Sequence, residues 1–312
     1  MTQPPPTDAE RRLAAHLGTG FAILLVSIVA LMTLGALVRA HEAGLACPDW
    51  PLCFGQVVPE MNLKVAFEWS HRALAGGISL GFLGLAIAVL RKPGLAPRLR
   101  PHLLATAAIL AVQILLGALT VWHLLATWTV TSHLLTGNAF AVATLLTGLR
   151  LREIAHPGRC TAIQPSPQLR GVLAATAAVL VLQVALGGLV SSSFAGLACP
   201  EWPRCNGGRW FPSLAGPVGL HLAHRTNAYL VFALLVVGAI VARHTPGVRG
   251  LASCAALLGL VQLLVGIANV LLGVPVEVTG LHSLLAALLV LTTATAVRAA
   301  WWPHEAPIPL RV

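Results

Sequence analysis

Residues 68–72 read Glu-Trp-Ser-His-Arg, and residues 221–225, 153 positions further along, read His-Leu-Ala-His-Arg. The similarity of these two stretches extends to other parts of the chain at nearly the same spacing. Identical residues lie 149 to 152 positions apart in four further pairs: Gln113 and Gln262, His133 and His282, Cys47 and Cys199, and Cys53 and Cys205. Such internal similarity indicates that the chain is built from two copies of one unit.

The composition indicates an integral membrane protein. Of the 312 residues, 57% are hydrophobic and only 10% are charged, whereas soluble domains carry about 25% charged residues. Apolar runs of about 20 residues, the length that crosses the hydrocarbon core of a bilayer, recur throughout the chain. The net charge of +10 does not indicate nucleic-acid binding, because basic residues in a membrane protein concentrate on its cytoplasmic side.

The apolar runs predict an all-α integral membrane fold with eight transmembrane helices. They lack the alternation of polar and apolar residues that is found in barrel strands, and helices are the other structure that satisfies the backbone in lipid. The predicted spans are 17–39, 66–90, 103–123, 128–149, 171–193, 218–242, 250–273 and 278–298.

Four helices in each repeat predict two four-helix bundles with the same orientation, related by a pseudo-twofold axis along the membrane normal. Fourteen of the 20 basic residues fall on the side of the termini, which the positive-inside rule makes cytoplasmic. The loops near 41–65 and 194–217 then face outward. The predicted units are a disordered cytoplasmic tail (1–15), the first bundle (16–152), a cytoplasmic linker (153–169), the second bundle (170–300) and a second cytoplasmic tail (301–312).

The four matched histidines point to haem. They are expected in the first turns of the second, fourth, sixth and eighth helices, near the outer surface: His71, His133, His224 and His282. A single histidine at a helix end is more often an interfacial residue, but repetition at four matched positions is not explained in that way. Because paired imidazoles inside a helical bundle can hold haem iron axially, we favour one haem in each bundle. Zinc is disfavoured because the matched cysteines lie in loops.

One charged position differs between the halves. Glu68 lies three residues before His71 and shares its helix face, whereas the matching residue of the second half is His221. A carboxylate at this depth could act as a general base or stabilise positive charge on a substrate; the alternative is an interfacial glutamate or a partner of Arg72. The first bundle is therefore predicted to be catalytic. Arg72 and Arg225 directly follow a ligand candidate and are candidates for binding haem propionates.

The predicted outer loops each contain two cysteines. Residues 47–53 read Cys-Pro-Asp-Trp-Pro-Leu-Cys and residues 199–205 read Cys-Pro-Glu-Trp-Pro-Arg-Cys. Two cysteines separated by five residues in an exported loop suit a local disulfide. These disulfides could staple the loops, or one of them could be redox-active.

Taken together, these residues resemble haem A synthase of the bacterial cysteine-containing type. The resemblance covers nearly the whole chain. It depends on the two cysteine loops, on Glu68 with His71 and Arg72, on His133, on His224 with Arg225, and on His282.

The resemblance implies an enzyme that oxidises the C8 methyl group of haem O to a formyl group, giving haem A for terminal oxidases. It implies that His71 and His133 bind the substrate haem O, that His224 and His282 bind haem b, and that Glu68 is needed for turnover. It also implies disulfides between Cys47 and Cys53 and between Cys199 and Cys205, and a location in a prokaryotic plasma membrane.

The implied partners are haem O, membrane lipid, the farnesyltransferase that makes haem O, and an unidentified electron donor, with no nucleic acid. A second hypothesis is a di-haem b-type cytochrome that oxidises quinol and leaves its haems unmodified. A third is a transporter built from parallel repeats. The second hypothesis gives Glu68 no task beyond proton release, and the third predicts a purified protein without a Soret band.

Overall fold

Eight long α-helices make up the fold in a computed structural model that describes residues 6–156 and 165–302. All eight are long and apolar enough to cross a membrane, which confirms the predicted all-α transmembrane fold. The helices are α1 (Asp8–Ala40), α2 (Leu63–Leu90), α3 (Ala96–Trp122), α4 (Thr127–Ala155), α5 (Pro167–Ser192), α6 (Gly216–Ala242), α7 (Arg249–Leu271) and α8 (Val276–Trp301), with one turn of 3-10 helix at Ala195–Leu197.

The first helix begins well before its apolar segment. The Thr7 side chain accepts a hydrogen bond from the Glu10 amide, and the Glu10 side chain accepts one from the Thr7 amide, which forms a capping box. Ala14 is fully buried. The prediction of a disordered tail to residue 15 was therefore wrong for residues 8–15, because a hydropathy pattern marks the membrane and not the end of the helix; residues 1–5 lie outside the described residues.

The predicted linker at 153–169 is also shorter than expected. Helix α4 continues to Ala155, and α5 already begins at Pro167, where Ser166 accepts a hydrogen bond from the Leu169 amide. Both helices extend past their apolar segments with polar residues, which the hydropathy pattern does not detect. Residues 157–164 of the linker and 303–312 of the second tail lie outside the described residues.

Each half of the chain packs mainly with itself. In the first half α1 contacts α2 and α4, and α3 contacts α4; in the second half α5 contacts α6, and α7 contacts α6 and α8. Helices α2 and α3 pack against each other less extensively than their counterparts α6 and α7. The first half is therefore more open along the seam between its second and third helices.

The two halves meet through α1, α4, α5 and α8. Helix α1 packs on α8, and α4 packs on α5. The two contacts are equivalent, because α1 corresponds to α5 and α4 corresponds to α8 in the repeat. At one end Arg39 donates a hydrogen bond to the Ser191 carbonyl at 2.9 Å. At the other end Arg298 forms an ion pair with Glu153, and both side chains are largely buried. These polar contacts join the halves at both ends of the interface.

Three phenylalanines fill the core of the first bundle. Phe82 of α2 lies edge-on between Phe21 of α1 and Phe140 of α4, with ring centroids 6.4 and 5.8 Å away. All three rings are buried. Aromatic rings in this edge-to-face arrangement contribute large buried areas. They close the bundle beyond the histidines and hold α1, α2 and α4 together.

Candidate functional site

All four predicted histidines lie inside the bundles, deeper than expected. His71 and His224 are the ninth residues of α2 and α6, and His133 and His282 are the seventh residues of α4 and α8. At 3.6 residues per turn they belong to the second and third turns of their helices. The expectation that they lie in the first turns was wrong, because these four helices begin one to three residues before their predicted spans, at Leu63, Thr127, Gly216 and Val276.

Each imidazole packs against a glycine on the preceding helix. A Cβ atom on Gly35 would lie 2.9 Å from His71 Cε1, and one on Gly117 would lie 3.2 Å from His133 Cε1. In the second half the matching distances are 3.1 Å from Gly187 to His224 and 3.0 Å from Gly266 to His282. A side chain at any of these four places would push against the ring, so glycine lets the imidazoles fit closely between the helices.

The two imidazoles of each bundle lie within electrostatic range of one another, His71 with His133 and His224 with His282. The Nδ1 atoms of three of them are buried and make no hydrogen bond: His71, His133 and His282. Buried polar atoms without a hydrogen-bond partner are rare in proteins. Those that occur are often explained by a ligand that completes the site.

The ligand set in each bundle fits a haem better than a bare metal ion. Among the residues that the structure describes, no three His, Cys, Asp or Glu side chains come together. A zinc site needs three or four such ligands. Haem iron needs only two axial ligands because the porphyrin supplies the other four, so a pair of buried imidazoles in an apolar bundle is sufficient.

A glutamine accompanies the second histidine of each pair. Gln113 Nε2 lies 3.3 Å from His133 Nε2, and Gln262 Nε2 lies 3.2 Å from His282 Nε2. Both contacts join the third helix of a repeat to its fourth. The two sites therefore share a glutamine amide beside the second histidine of the pair.

On the side of the first histidine the two sites differ. Gln183 Nε2 lies 3.2 Å from His224 Nδ1, and Gln183 Oε1 accepts a hydrogen bond of 2.8 Å from Asn227 Nδ2. The positions that match Gln183 and Asn227 in the first half are Leu31 and Leu74. The amide pair therefore orients His224, whereas His71 has apolar side chains at those positions.

Glu68 is buried beside the first site and paired with arginine. Its side chain is 8% exposed, and Arg72 Nε donates to Glu68 Oε1 at 2.9 Å. The predicted alternative of an ion pair with Arg72 is thus what the structure shows. In the second half His221 donates from Nδ1 to the Ala195 carbonyl at 2.9 Å. The position carries an acid in the first half and a hydrogen-bonded imidazole in the second.

Both predicted propionate arginines contact the cysteine loops. Arg72 donates to the carbonyls of Asp49, Leu52 and Cys47 at 2.6, 2.8 and 3.1 Å. The matching Arg225 donates to three loop carbonyls at 3.0 Å: Glu201, Arg204 and Cys199. A planar guanidinium with several fixed donors is suited to this task. The arginines hold the loops over the helix ends, and contact with a propionate stays a prediction.

Both local disulfides are present. Cys47 is bonded to Cys53 and Cys199 to Cys205, and all four residues are buried. In each disulfide-bonded loop, a carboxylate also accepts hydrogen bonds from two backbone amides. Asp49 accepts hydrogen bonds from the Phe54 and Gly55 amides at 2.7 and 2.8 Å, and Glu201 accepts the matching pair from Gly207 and Gly208. The Gly55 hydrogen bond is the main reason why the pKa of Asp49 lies below its usual value.

Two features of the site were missed in the sequence analysis. The four glycines carry a readable signal, because Gly35 and Gly187 are 152 positions apart and Gly117 and Gly266 are 149 apart, the offsets of the other matched residues. The Gln183 and Asn227 pair carries no such signal because it has no counterpart in the first half.

Comparison with known proteins identifies relatives along nearly the whole chain. Residues 20–66 and 60–294 match the family COX15-CtaA, described as cytochrome oxidase assembly protein. The chain is 31% identical to a haem A synthase of Shewanella oneidensis, an alignment that covers 88% of this chain and 93% of that protein. It is 32% identical to a haem A synthase of Halalkalibacterium halodurans, with 86% and 91% covered, and 27% identical to that of Methylobacterium radiotolerans, with 93% and 91% covered.

Proposed function

The chain belongs to the COX15-CtaA family of cytochrome oxidase assembly proteins, and we propose that it converts haem O to haem A. The reaction oxidises the methyl group at C8 of the porphyrin to a formyl group by two successive hydroxylations. The second hydroxylation gives a geminal diol, which loses water to become the aldehyde. Each hydroxylation, with O2 as the oxidant, places one oxygen atom on the methyl carbon and reduces the other to water. This takes two electrons from the carbon and two from a reductant, so the protein needs the electron donor proposed as its partner.

The two histidine pairs divide this work. His71 and His133 hold the substrate haem O in the first bundle, and His224 and His282 hold a resident haem b in the second. A bound haem b supplies one-electron redox chemistry. The protein's own residues bind and orient. The Gln183 amide lies against the His224 ring and is itself held by Asn227, which suits a site that keeps its ligand. The first site has leucines, Leu31 and Leu74, in place of the two amide side chains, which suits a ligand that enters and leaves.

The observation that carries the proposal is the difference at the positions of Glu68 and His221. In the second bundle His221 donates to a loop carbonyl and accepts from Arg225 at 3.4 Å, so both ring nitrogens have partners in the protein. In the first bundle the same place holds a buried carboxylate three residues before His71. A buried charge is costly unless it is used, and the acid occurs only beside the site assigned to the substrate.

Glu68 is proposed to accept a proton or to stabilise positive charge on the reacting carbon. Arg72 fixes the carboxylate through the hydrogen bond to Oε1 and is itself fixed by the loop carbonyls. The disulfide-bonded loop thereby determines where the acid lies. This chain of contacts links the outer loop to the proposed chemistry.

The test is to replace Glu68 by Gln, which keeps the shape and removes the charge. The protein is produced together with a source of haem O, and its haems are extracted and separated. The variant is expected to bind both haems and to form at least 100-fold less hydroxymethyl or formyl haem, within the 10²–10⁴-fold typical of a lost acid–base group. Formation of product at the native rate would remove Glu68 from the mechanism. His221→Gln is the matched control and should leave product formation intact.

The proposed location is a bacterial plasma membrane, with both termini cytoplasmic, as the distribution of basic residues favours. The proposed partners are the farnesyltransferase that makes haem O and an electron donor. The alternative of a quinol-oxidising di-haem cytochrome is not favoured, because the relatives that cover nearly the whole chain are haem A synthases. Extraction of only unmodified haem would be the result that supports the alternative.

A further inference from the structure

An apolar groove lies between α3 and α4 of the first bundle. Its volume is about 390 Å³, within the range of roughly 300–1,000 Å³ for small-molecule sites. Its walls are small or apolar side chains: Ala108, Ile109, Val112, Leu135, Thr136 and Ala139. Three of these, Ala108, Val112 and Ala139, are exposed on the surface of the helices, so the groove opens laterally.

The groove lies next to the first histidine site. Ile109 is four residues before Gln113, whose amide lies 3.3 Å from His133, so both lie on one face of α3. Thr136 is three residues after His133, so both lie on one face of α4. The groove is therefore about one helical turn from His133, on the side away from the outer loops.

The second bundle has larger side chains at the matching places. At the offset of 149 that relates Gln113 to Gln262 and His133 to His282, three small residues of the first bundle become leucines. Ala108 corresponds to Leu257, Thr136 to Leu285 and Ala139 to Leu288. The other three positions remain apolar and large: Leu258, Val261 and Leu284. The space beside His133 is thus specific to the first bundle.

We infer that this groove receives the farnesyl-derived side chain of haem O. This inference depends on the proposed function, which places haem O at His71 and His133. Haem O differs from haem b by a long isoprenoid substituent, so a site for haem O needs apolar space next to the porphyrin that a site for haem b does not need. The first bundle offers this space next to an imidazole, and the second has leucines there.

The groove selects between the two haems mainly by shape. An isoprenoid chain is already in apolar surroundings when it lies in lipid, so its transfer into the groove brings little hydrophobic gain. Close packing in the groove provides dispersion contacts, and overlap with leucine side chains in the second bundle excludes the chain. Ala108, Thr136 and Ala139 are therefore specificity-determining residues, as are the three leucines that replace them.

The test exchanges the residues between the bundles. The double variant Thr136→Leu and Ala139→Leu is purified from cells that make only haem b, and haem O or haem b is then titrated into the first site while the Soret absorbance is recorded. Overpacking of a core by one or two side chains costs enough to weaken binding by about tenfold or more. Haem O should bind at least tenfold more weakly than to the native protein, and haem b should bind as before.

Two further variants complete the experiment. Ala107→Leu, on the same helix but outside the groove, should leave the binding of both haems unchanged. Leu285→Thr with Leu288→Ala should allow the second site to accept haem O. Native affinity for haem O in the Thr136→Leu, Ala139→Leu variant, or an equal loss of both haems, would overturn the groove assignment. If the groove variants behave as expected but the native protein forms no oxidised haem, the groove stands and the proposed reaction fails.

Discussion

At the scale of single residues, the four glycines are as specific to the site as the four histidines. Each removes a side chain at the point where an imidazole would otherwise meet the preceding helix, with distances of 2.9 to 3.2 Å to the missing Cβ. Contacts of this length leave no room for a methyl group unless the ring moves. The glycines therefore fix the ring positions that a planar ligand between the two imidazoles requires.

Replacing Gly187 by Val should displace His224. The added side chain would crowd His224 Cε1, because its Cβ alone would lie 3.1 Å from that atom and the two methyl groups extend further. We expect retention of the second-bundle haem to fall by tenfold or more, since overpacking costs roughly 1–3 kcal/mol. The measurement is the haem content of the purified protein relative to protein mass. Gly171→Val in the same helix is the control, because a Cβ there meets no atom within 4 Å; equal haem loss in both variants would contradict the argument.

Gln183→Leu should weaken the hold on the same haem for a different reason. The substitution removes the amide 3.2 Å from His224 Nδ1 and leaves Asn227 without its 2.8 Å acceptor. Loss of a hydrogen-bonded partner of a metal-ligating histidine lowers affinity by roughly 10–100-fold. Haem loss to an excess of apomyoglobin measures the change. Leu31→Ala at the matching place of the first bundle should not affect it, and an unaltered rate in Gln183→Leu would remove the amide pair from the site.

Residue types at matched offsets could be predicted from the sequence, whereas their contacts could not. The histidines, Glu68 and the cysteines follow from repetition and chemistry. That Arg72 and Arg225 donate to loop carbonyls depends on side-chain conformation, which no pattern of residue types encodes. Gln113 and Gln262 were identified as a matched pair, but their proximity to His133 and His282 required the packing of third and fourth helices.

At the scale of elements, the outer loops are small closed units. In the first loop a disulfide, the Asp49 carboxylate and three carbonyl contacts of Arg72 act on fewer than ten residues. Such a segment has too few apolar residues to form a core, and cross-links take over that role. Because Arg72 also binds Glu68, disturbance of this loop should reach the proposed acid.

The Asp49 carboxylate should make the first loop sensitive to acid. The pKa of Asp49 is lowered in the folded protein, chiefly by the hydrogen bond from the Gly55 amide. The ionised carboxylate therefore stabilises the loop at a pH above its pKa in the unfolded chain, about 3.9. This stabilisation is lost as the pH falls through the lower pKa of the folded protein. The rate at which a phosphine reduces the buried Cys47–Cys53 disulfide reports loop opening. Asp49→Asn should speed reduction at neutral pH and make no difference once the native carboxylate is protonated.

The matching second loop provides the control for this measurement. Glu201→Gln alters the equivalent carboxylate and should leave the reduction rate of the first disulfide unchanged. A rate difference between native protein and Asp49→Asn that is constant down to the most acidic pH would contradict the assignment of the effect to this carboxylate.

Helix ends illustrate what hydropathy omits at this scale. The spans were predicted from apolar runs. Five of the eight helices contain their predicted span, and α3, α5 and α7 end one or two residues before it does. Helix α1 starts nine residues before its predicted span, at a capping box formed by Thr7 and Glu10. That box can be read from the sequence as a threonine followed three residues later by a glutamate.

At the scale of the whole molecule, duplication gave two similar sites that then diverged. Three differences between the matched sites are consistent with one another. The first bundle has Glu68 where the second has His221, Leu31 where the second has Gln183, and small groove residues where the second has leucines. The first site gains an acid, apolar space and a less constrained ligand, and the second gains a firmer hold on its imidazole. Helices α2 and α3 also pack against each other less extensively than α6 and α7 do. This agrees with a first bundle that exchanges its ligand.

The sequence repeat was sufficient to predict two similar four-helix units, but not how they join. The two halves join through contacts of α1 with α8 and of α4 with α5. These contacts depend on which helix faces are still uncovered once each bundle has packed. The ion pair between Glu153 and Arg298 across this interface also has no counterpart at the repeat offset, where Trp302 and Leu149 stand. The topology and the pseudo-twofold relation remain predictions.

The measurement that tests the account most directly is haem analysis of three proteins produced with a source of haem O. These are the native chain, the first-bundle variant His71→Ala with His133→Ala, and the second-bundle variant His224→Ala with His282→Ala. The native protein should yield haem b together with oxidised haem O. The first-bundle variant should keep haem b and contain no oxidised haem, and the second-bundle variant should lose haem b. Only unmodified haem in the native protein, or a full set of haems in either variant, would contradict the assignment of one consumed and one retained haem.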